Sequence, residues 1–454
     1  MGSRALQYSA DISDDEIDRL VAVPPESVDL SGVSAHTGAD LLGNALARVV
    51  LPDAQTRDLI RQFLAMGHAH ALAHLDPDAM YIRGLYEKQP WVAARRPAIC
   101  FTGLQGVGKS ELLHALGRIF STRAGNSTVR GHPSIPLEPI WMMTLSKGDA
   151  LNHLLREHVD PEWKQPKCKD IKSEAQSHKN WSLPNLLGAA EKRSWVHGTC
   201  LIAIDEFQWI SASTNANARA ATVLLKMHAI GPLLIYCANF SLVHKLKARP
   251  PEERDRLLSR PVIMRPFGPN SPEFTAYLAA LQTVAPAVFT FDPTRDQEQV
   301  YLYTFGIRRK VVDLLVAAYR IACRAGGSGK VGAQELLLAY RSELYVTHRE
   351  DVEVLFRQRV SGQMESATLW CPFGTMDPVR SNVREAAKIV QAFEKRMEDA
   401  LLEAALMPAE AAALAVIEPD VSSTAKPAKV FRFRRGKATK DDLLAGAAVL
   451  DGID

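Results

Sequence analysis

AICFTGLQGVGKSELLHALGRIF, residues 98–120, joins an apolar strand-like run to a helical pattern through a glycine-rich turn. The turn, GLQGVGKS at 103–110, fits G-x-x-x-x-G-K-[ST]. A strand before it and a helix after it are the context in which that pattern cradles phosphate. Glycines let the backbone wrap an anion without Cβ clashes, and successive N–H groups point into the nest. A helix beginning near Lys109 adds its positive dipole end. The candidate phosphate-binding set is Gly103, Gly106, Gly108, Lys109, Ser110 and Glu111. Lys109 is expected to reach the β- and γ-phosphates and Ser110 to ligate Mg²⁺. The other reading is a glycine-rich turn of no chemical consequence.

A second apolar run, LIAIDEFQWI at 201–210, ends in two carboxylates. A buried charge without a partner costs several kcal/mol, so a cation is expected there. Asp205 fits the Mg²⁺ role, and Glu206, on the opposite face of the strand line, is placed to deprotonate an attacking water. A solvated acidic strand end is the alternative. The run LLIYCANF ends in Asn239, which is positioned to touch the γ-phosphate or the water, or simply to make a turn. Before the last apolar run stand Arg249, Arg254, Arg256 and Arg260, any of which could serve a neighbouring copy's γ-phosphate or merely sit in solvent. GIRRKVVDLL puts Arg308 and Arg309 at a helix start, where cations are disfavoured, so at least one needs an anionic partner, nucleotide being a candidate.

The chain has 454 residues, 47% hydrophobic and 23% charged, with a net charge of +3. That is ample for a core and for two or three domains. Near-neutral charge leaves any basic function to local patches. Six scattered cysteines without ligand spacing argue against a disulfide framework and a zinc site. The acidic N-terminal stretch does not read as a signal peptide, and no apolar run of about 18 residues appears. The expected location is the bacterial cytoplasm, with no membrane contact.

Strand-like runs at 98–102, 139–145, 200–205, 233–238 and 261–267 alternate with helical patterns. Such alternation predicts an α/β fold, a parallel sheet flanked by helices. Residues 1–52 read as a loosely structured N-terminal arm and 53–267 as the nucleotide-binding subdomain, opened by a helix from Asp53 to about Leu75. A helical lid follows at 268–345, with helices at 271–284, 296–304, 308–324 and 334–344. GGSGK, 326–330, lacks the upstream glycine of a phosphate loop and reads as an inter-helix turn. The C-terminal extension, 346–454, holds a flexible linker at about 417–430 and a tail, VFRFRRGK.

Taken together, GLQGVGKS, IDEF, the Asn-tipped strand, the arginine before the last strand and GIRR resemble an AAA+ P-loop NTPase with a helical lid and a C-terminal tail. IDEFQWI with Gln208, SRPVIMRPFGP and the stretch from Thr304 to Tyr340 resemble the transposon-encoded ATPases of the TnsC, TniB and MuB group. The likeness covers roughly residues 60–345. It implies ATP and Mg²⁺ as cofactors and ATP hydrolysis. It also implies a ring or filament of copies around double-stranded DNA, and partnership with a transposase and a target-selector subunit. By the same resemblance Lys109 and Ser110 stand as Walker A, Asp205 and Glu206 as Walker B, Asn239 as sensor 1, Arg260 as arginine finger and Arg309 as sensor 2. Lys147 and Arg156 stand where such rings meet DNA. The segment between the phosphate loop and IDEF adds Lys164, Lys167, Lys169 and Lys172, either as phosphate contacts or as a solvated loop. Phe431 and Phe433 alternate with Arg432, Arg434 and Arg435, a pattern suited to nucleic acid or to a partner's groove; the linker before it favours docking onto a transposase or endonuclease subunit. Two features depart from the family: the long polar segment, and the tail beyond 346. Two other readings use the same core: a replication initiator or helicase loader, and a signalling or defence switch that never touches DNA.

Overall fold

The computed structural model describes residues 8–9, 11–76, 78–87, 97–129, 131–145, 151–160, 181–207, 216–324 and 329–374. The chain divides into two compact units, Met1–Gln391 and Ala392–Asp454. The second lies wholly outside the described residues, as do the linker and tail. Lys147, Lys164, Lys167, Lys169, Lys172 and Gln208 lie outside them too.

Seven strands are described: β1 (Ile99–Gly103), β2 (Asn126–Val129), β3 (His132–Pro136), β4 (Ile140–Thr144), β5 (Leu201–Asp205), β6 (Leu233–Ala238) and β7 (Arg260–Met264). Five of them form a parallel sheet in the order β4-β5-β6-β1-β7, at the five places the apolar runs indicate. The hairpin β2–β3 stands apart and was not foreseen, because its exposed–buried alternation spans only four residues. Ahead of the sheet come α1 (Asp14–Val21), α2 (Ala35–Arg48), α3 (Ala54–His74) and α4 (Asp78–Tyr86). Within it run α5 (Lys109–Arg123), α6 (Leu151–Val159), α7 (Leu183–Val196), α8 (Ala216–His228), α9 (Phe240–Lys247) and α10 (Pro251–Leu258). Beyond it lie α11 (Pro272–Val284), α12 (Gln297–Thr304), α13 (Arg308–Cys323), α14 (Ala333–Arg341) and α15 (Val346–Ser361).

Strand alternation sorts the core into two layers. Ile99, Phe101, Leu201, Ala203 and Ile235 meet α3 and α5 through Phe63, Leu113 and Leu116. Cys100, Ile202, Ile204, Leu234 and Tyr236 meet α7, α8 and α9 through Leu186, Leu224 and Leu242. A sheet buried on both faces explains the continuous apolar runs. The phosphate-loop strand β1 is separated from the acid-bearing β5 by one strand, β6, and the loop opens straight into α5. That strand order with that loop is the AAA+ P-loop NTPase fold. Among the described residues no helix is long and apolar enough to cross a membrane.

The N-terminal region differs from the loose arm expected. Ser13 and Ser34 cap α1 and α2 by accepting from the N–H groups of Glu16 and Thr37. Ile17, Val21, Leu42 and Leu46 are buried. α1 packs on α5 and α2 on α13, so the segment touches both sides of the cleft described below. Its cap residues carried the signal; its glycines and prolines obscured it.

Candidate functional site

At the C-terminal ends of β1, β5 and β6 the chain encloses a cleft of about 830 Å³. Such crevices at strand carboxyl ends are where open α/β sheets bind ligands. Gly106 and Gly108 adopt φ of +83° and +111°. A residue with Cβ resists these left-handed conformations. Gly103 is needed for space: a Cβ there would lie 2.4 Å from the Met264 carbonyl oxygen. Ser110 and Glu111 follow in the first turn of α5, both lining the cleft, and Glu111 pairs with Arg118 at 3.0 Å.

Lys109 is buried, and its Nζ donates to the carbonyls of Gly103 (2.9 Å) and Leu104 (2.8 Å). Burial lowers its pKa, while the acidic groups of Cys237, Asp205 and Glu206 oppose that shift. A desolvated ammonium resting on two loop carbonyls is a cation that a phosphate oxygen can recruit.

Asp205 is nearly buried, and its Oδ1 accepts from the Glu206 N–H at 2.8 Å. Glu206 has φ of +54°, one of two non-glycine residues among those described with positive φ. This corrects the expectation that the carboxylates point to opposite faces. The left-handed turn ends the strand alternation, so both line the same cleft. Asn239 precedes α9 without capping it by its side chain and lines the cleft as well. Oxygen donors from Ser110 and Asp205, with a cradle shaped for phosphate, suit Mg²⁺, which binds through one or two carboxylates plus substrate phosphates.

Arg308 and Arg309 come from the start of α13. The Arg309 N–H donates to the Gly106 carbonyl at 3.1 Å, locking this helix onto the phosphate loop. Arg308 finds its anion within the chain: its Nη2 lies 3.0 Å from Asp53 Oδ2, both side chains nearly buried. Its guanidinium also lies 4.9 Å from the Phe267 ring centre. Among the described residues Arg309 has no carboxylate at ion-pair distance, and it lines the cleft as Lys109 does.

The structure does not bring every candidate here. Arg260 pairs in register with Ile99, while the phosphate loop starts at Gly103, opposite Met264. Four residues of strand put the arginine ~13 Å back from the loop, at the opposite end of the edge strand β7. Arg249 pairs with Glu253 at 2.9 Å, and Arg254 and Arg256 are exposed on α10. Arg156, half-buried on α6, is also outside the cleft. Sequence reasoning missed the wall from α2, where Asp40, Gly43 and Asn44 face Val312 and Val316 of α13. Gly43 marks that close approach, for a Cβ there would lie 3.3 Å from Val316 Cγ2.

No protein-family model matches the chain, and no curated protein matches it. Among solved structures it is similar to the Orc1 protein of Aeropyrum pernix in complex with DNA, with 15% identity, 70% of each chain covered and a TM-score of 0.37. It is also similar to a Walker-type ATPase of Pyrococcus abyssi, with 16% identity, 70% of this chain and 88% of that one covered and a TM-score of 0.35. A third is AMPPCP-bound DnaA from Aquifex aeolicus, with 12% identity, 78% and 93% covered and a TM-score of 0.26. The strand order and the phosphate loop of this chain define its fold.

Proposed function

We propose that this protein binds and hydrolyses ATP in the cleft and works as an oligomer on double-stranded DNA, as a regulator of transposition. One observation carries the nucleotide part: Lys109, Ser110, Asp205, Glu206, Asn239 and Arg309 converge on one cleft. Lys109 and the loop N–H groups hold the β- and γ-phosphates. Mg²⁺, held by Ser110 and Asp205, supplies charge neutralisation on the phosphate oxygens when bound. Glu206 takes the proton of the attacking water, and the Asn239 amide orients that water or the γ-phosphate. The apolar half of the cleft, between α2 and α13, takes the base. Residues 268–345 act as a helical lid, with Arg309 reaching the phosphates from it.

The position of Arg260 supports oligomerisation. An arginine at the start of the edge strand β7, four residues back along the sheet from its own loop, has no phosphate to serve within the chain. In a head-to-tail assembly that edge faces the next copy's cleft, where the guanidinium completes the site. ATP at such a junction favours assembly, and hydrolysis weakens it. The roles in DNA contact of Lys147, Arg156 and the 164–172 lysines, and recruitment of a transposase to target DNA chosen by a target-selector subunit, follow from the resemblance of IDEFQWI and the lid. Electron microscopy with duplex DNA and a non-hydrolysable ATP analogue tests this reading. Rings or filaments on DNA that need the analogue are expected; monomers indifferent to DNA would sink it.

A further inference from the structure

Beyond Asn239 and Arg309 lies a second chamber of about 270 Å³. Gln105, Asn239 and Arg309 line both spaces and so form the partition between them. At about 30 Å³ per water, the chamber holds the equivalent of about nine waters, ample for one tetrahedral oxyanion.

Its lining sets Leu104, Ile307 and Leu369 against a cluster of polar and cationic side chains. Lys310 is only 5% exposed. Its Nζ donates to Asp351 Oδ2 at 2.8 Å and to the His348 carbonyl at 3.3 Å, which leaves a third ammonium proton. Arg309 and the Ser241 hydroxyl add further donors; Asp351 is the one lining carboxylate, and the His348 Nε2 is paired with Asp313 at 3.3 Å. The outer wall is Thr368 and Leu369. They belong to a stretch bridging α15 to α9. At one end Gln358 Oε1 accepts from the N–H groups of Glu365 and Ser366, both at 2.9 Å. At the other, His244 bonds the Trp370 carbonyl at 3.0 Å and Lys247 donates to the Pro372 carbonyl. Asn239, at the partition, is the residue from which α9 starts.

We propose that this chamber receives the inorganic phosphate formed in the cleft and releases it past residues 365–372, which serve as its door. The proposal rests on the hydrolysis reading above. Water oxygen bonds to the γ-phosphorus as the bond to the β–γ bridging oxygen breaks. ADP keeps that oxygen and the electron pair, and the water's proton passes to Glu206. ADP still seated on the phosphate loop blocks the front of the cleft, whereas the partition side opens onto cations. Moving the door shifts α15 against α9.

Rapid mixing with ATP tests this, with acid quench reporting hydrolysis and a fluorescent phosphate sensor reporting release. Thr368 is exposed on the rim, so Thr368→Trp fills the chamber without disturbing the core. Ser241→Trp fills it from the α9 side. The expected result is hydrolysis within about twofold of the parent and phosphate release slowed at least about tenfold. Release that keeps pace with hydrolysis in both folded variants would overturn the exit while leaving the ATPase reading intact. A parent protein that hydrolyses no ATP would remove that reading and the exit with it.

Discussion

The backbone N–H of Arg309 donates to the carbonyl of Gly106 at 3.1 Å, across two hundred residues of sequence. The phosphate loop and the helix behind it are thus joined by main chain, independent of any ligand. The contact has no room to spare, since a Cβ on Gly106 would lie 2.7 Å from Arg309 Cβ.

Gly106→Ala therefore combines a clash with a left-handed backbone. The strain alone is ~1–2 kcal/mol. Chemical denaturation should show a loss of at least that size. Calorimetry should show ATP affinity weakened by about tenfold or more, because the loop can relieve the clash only by leaving α13. Unchanged affinity would mean that the loop binds nucleotide without this contact.

Arg260 and Lys109 are expected to act in different copies of the protein. Arg260→Ala should keep ATP binding and lose turnover by ~10³-fold or more, as for an arginine supplied in trans. Lys109→Ala should lose binding. Mixing the two inactive variants places an intact Arg260 beside an intact Lys109 at some junctions, so ATPase activity should partly return. No recovery in mixtures that co-assemble would contradict the trans assignment.

His158 makes stability depend on pH. Its ring stacks 3.6 Å from Trp141, and burial lowers its pKa to about 3. Below the unfolded value of about 6.5 the unfolded chain binds the proton and the folded chain does not, so stability falls as pH drops from 6.5 towards 3. From pH 7 to pH 5 the contribution is about 2 kcal/mol, at about 1.4 kcal/mol per pH unit below 6.5. Urea titrations should show this slope in the parent and lose that part of it in His158→Phe.

Much of the architecture was legible because both sheet faces are buried. Each central strand is then an uninterrupted apolar run with a polar residue at its carboxyl end, and Asp205 and Asn239 stand out for that reason. The phosphate loop was legible from its glycine spacing. What local pattern could not convey was partnership at long range. Nothing in GIRR says that Arg308 is satisfied by Asp53 while Arg309 faces the cleft, because that division depends on how α13 lands on the start of α3. Glu206 failed for the opposite reason: period-two alternation was carried one residue too far, past the point where the backbone turns left-handed. The wall from α2 was missed because its pocket-facing residues, Asp40, Gly43 and Asn44, resemble loop residues until the helix is docked.

The central claim is that the cleft hydrolyses ATP with Glu206 as the base, and Glu206→Gln tests it most directly. The amide keeps size and polarity but cannot take a proton. Single-turnover hydrolysis of pre-bound ATP should fall by ~10²–10⁴-fold, with ATP affinity unchanged. Hydrolysis at the parent rate in a variant that still binds ATP would contradict the account.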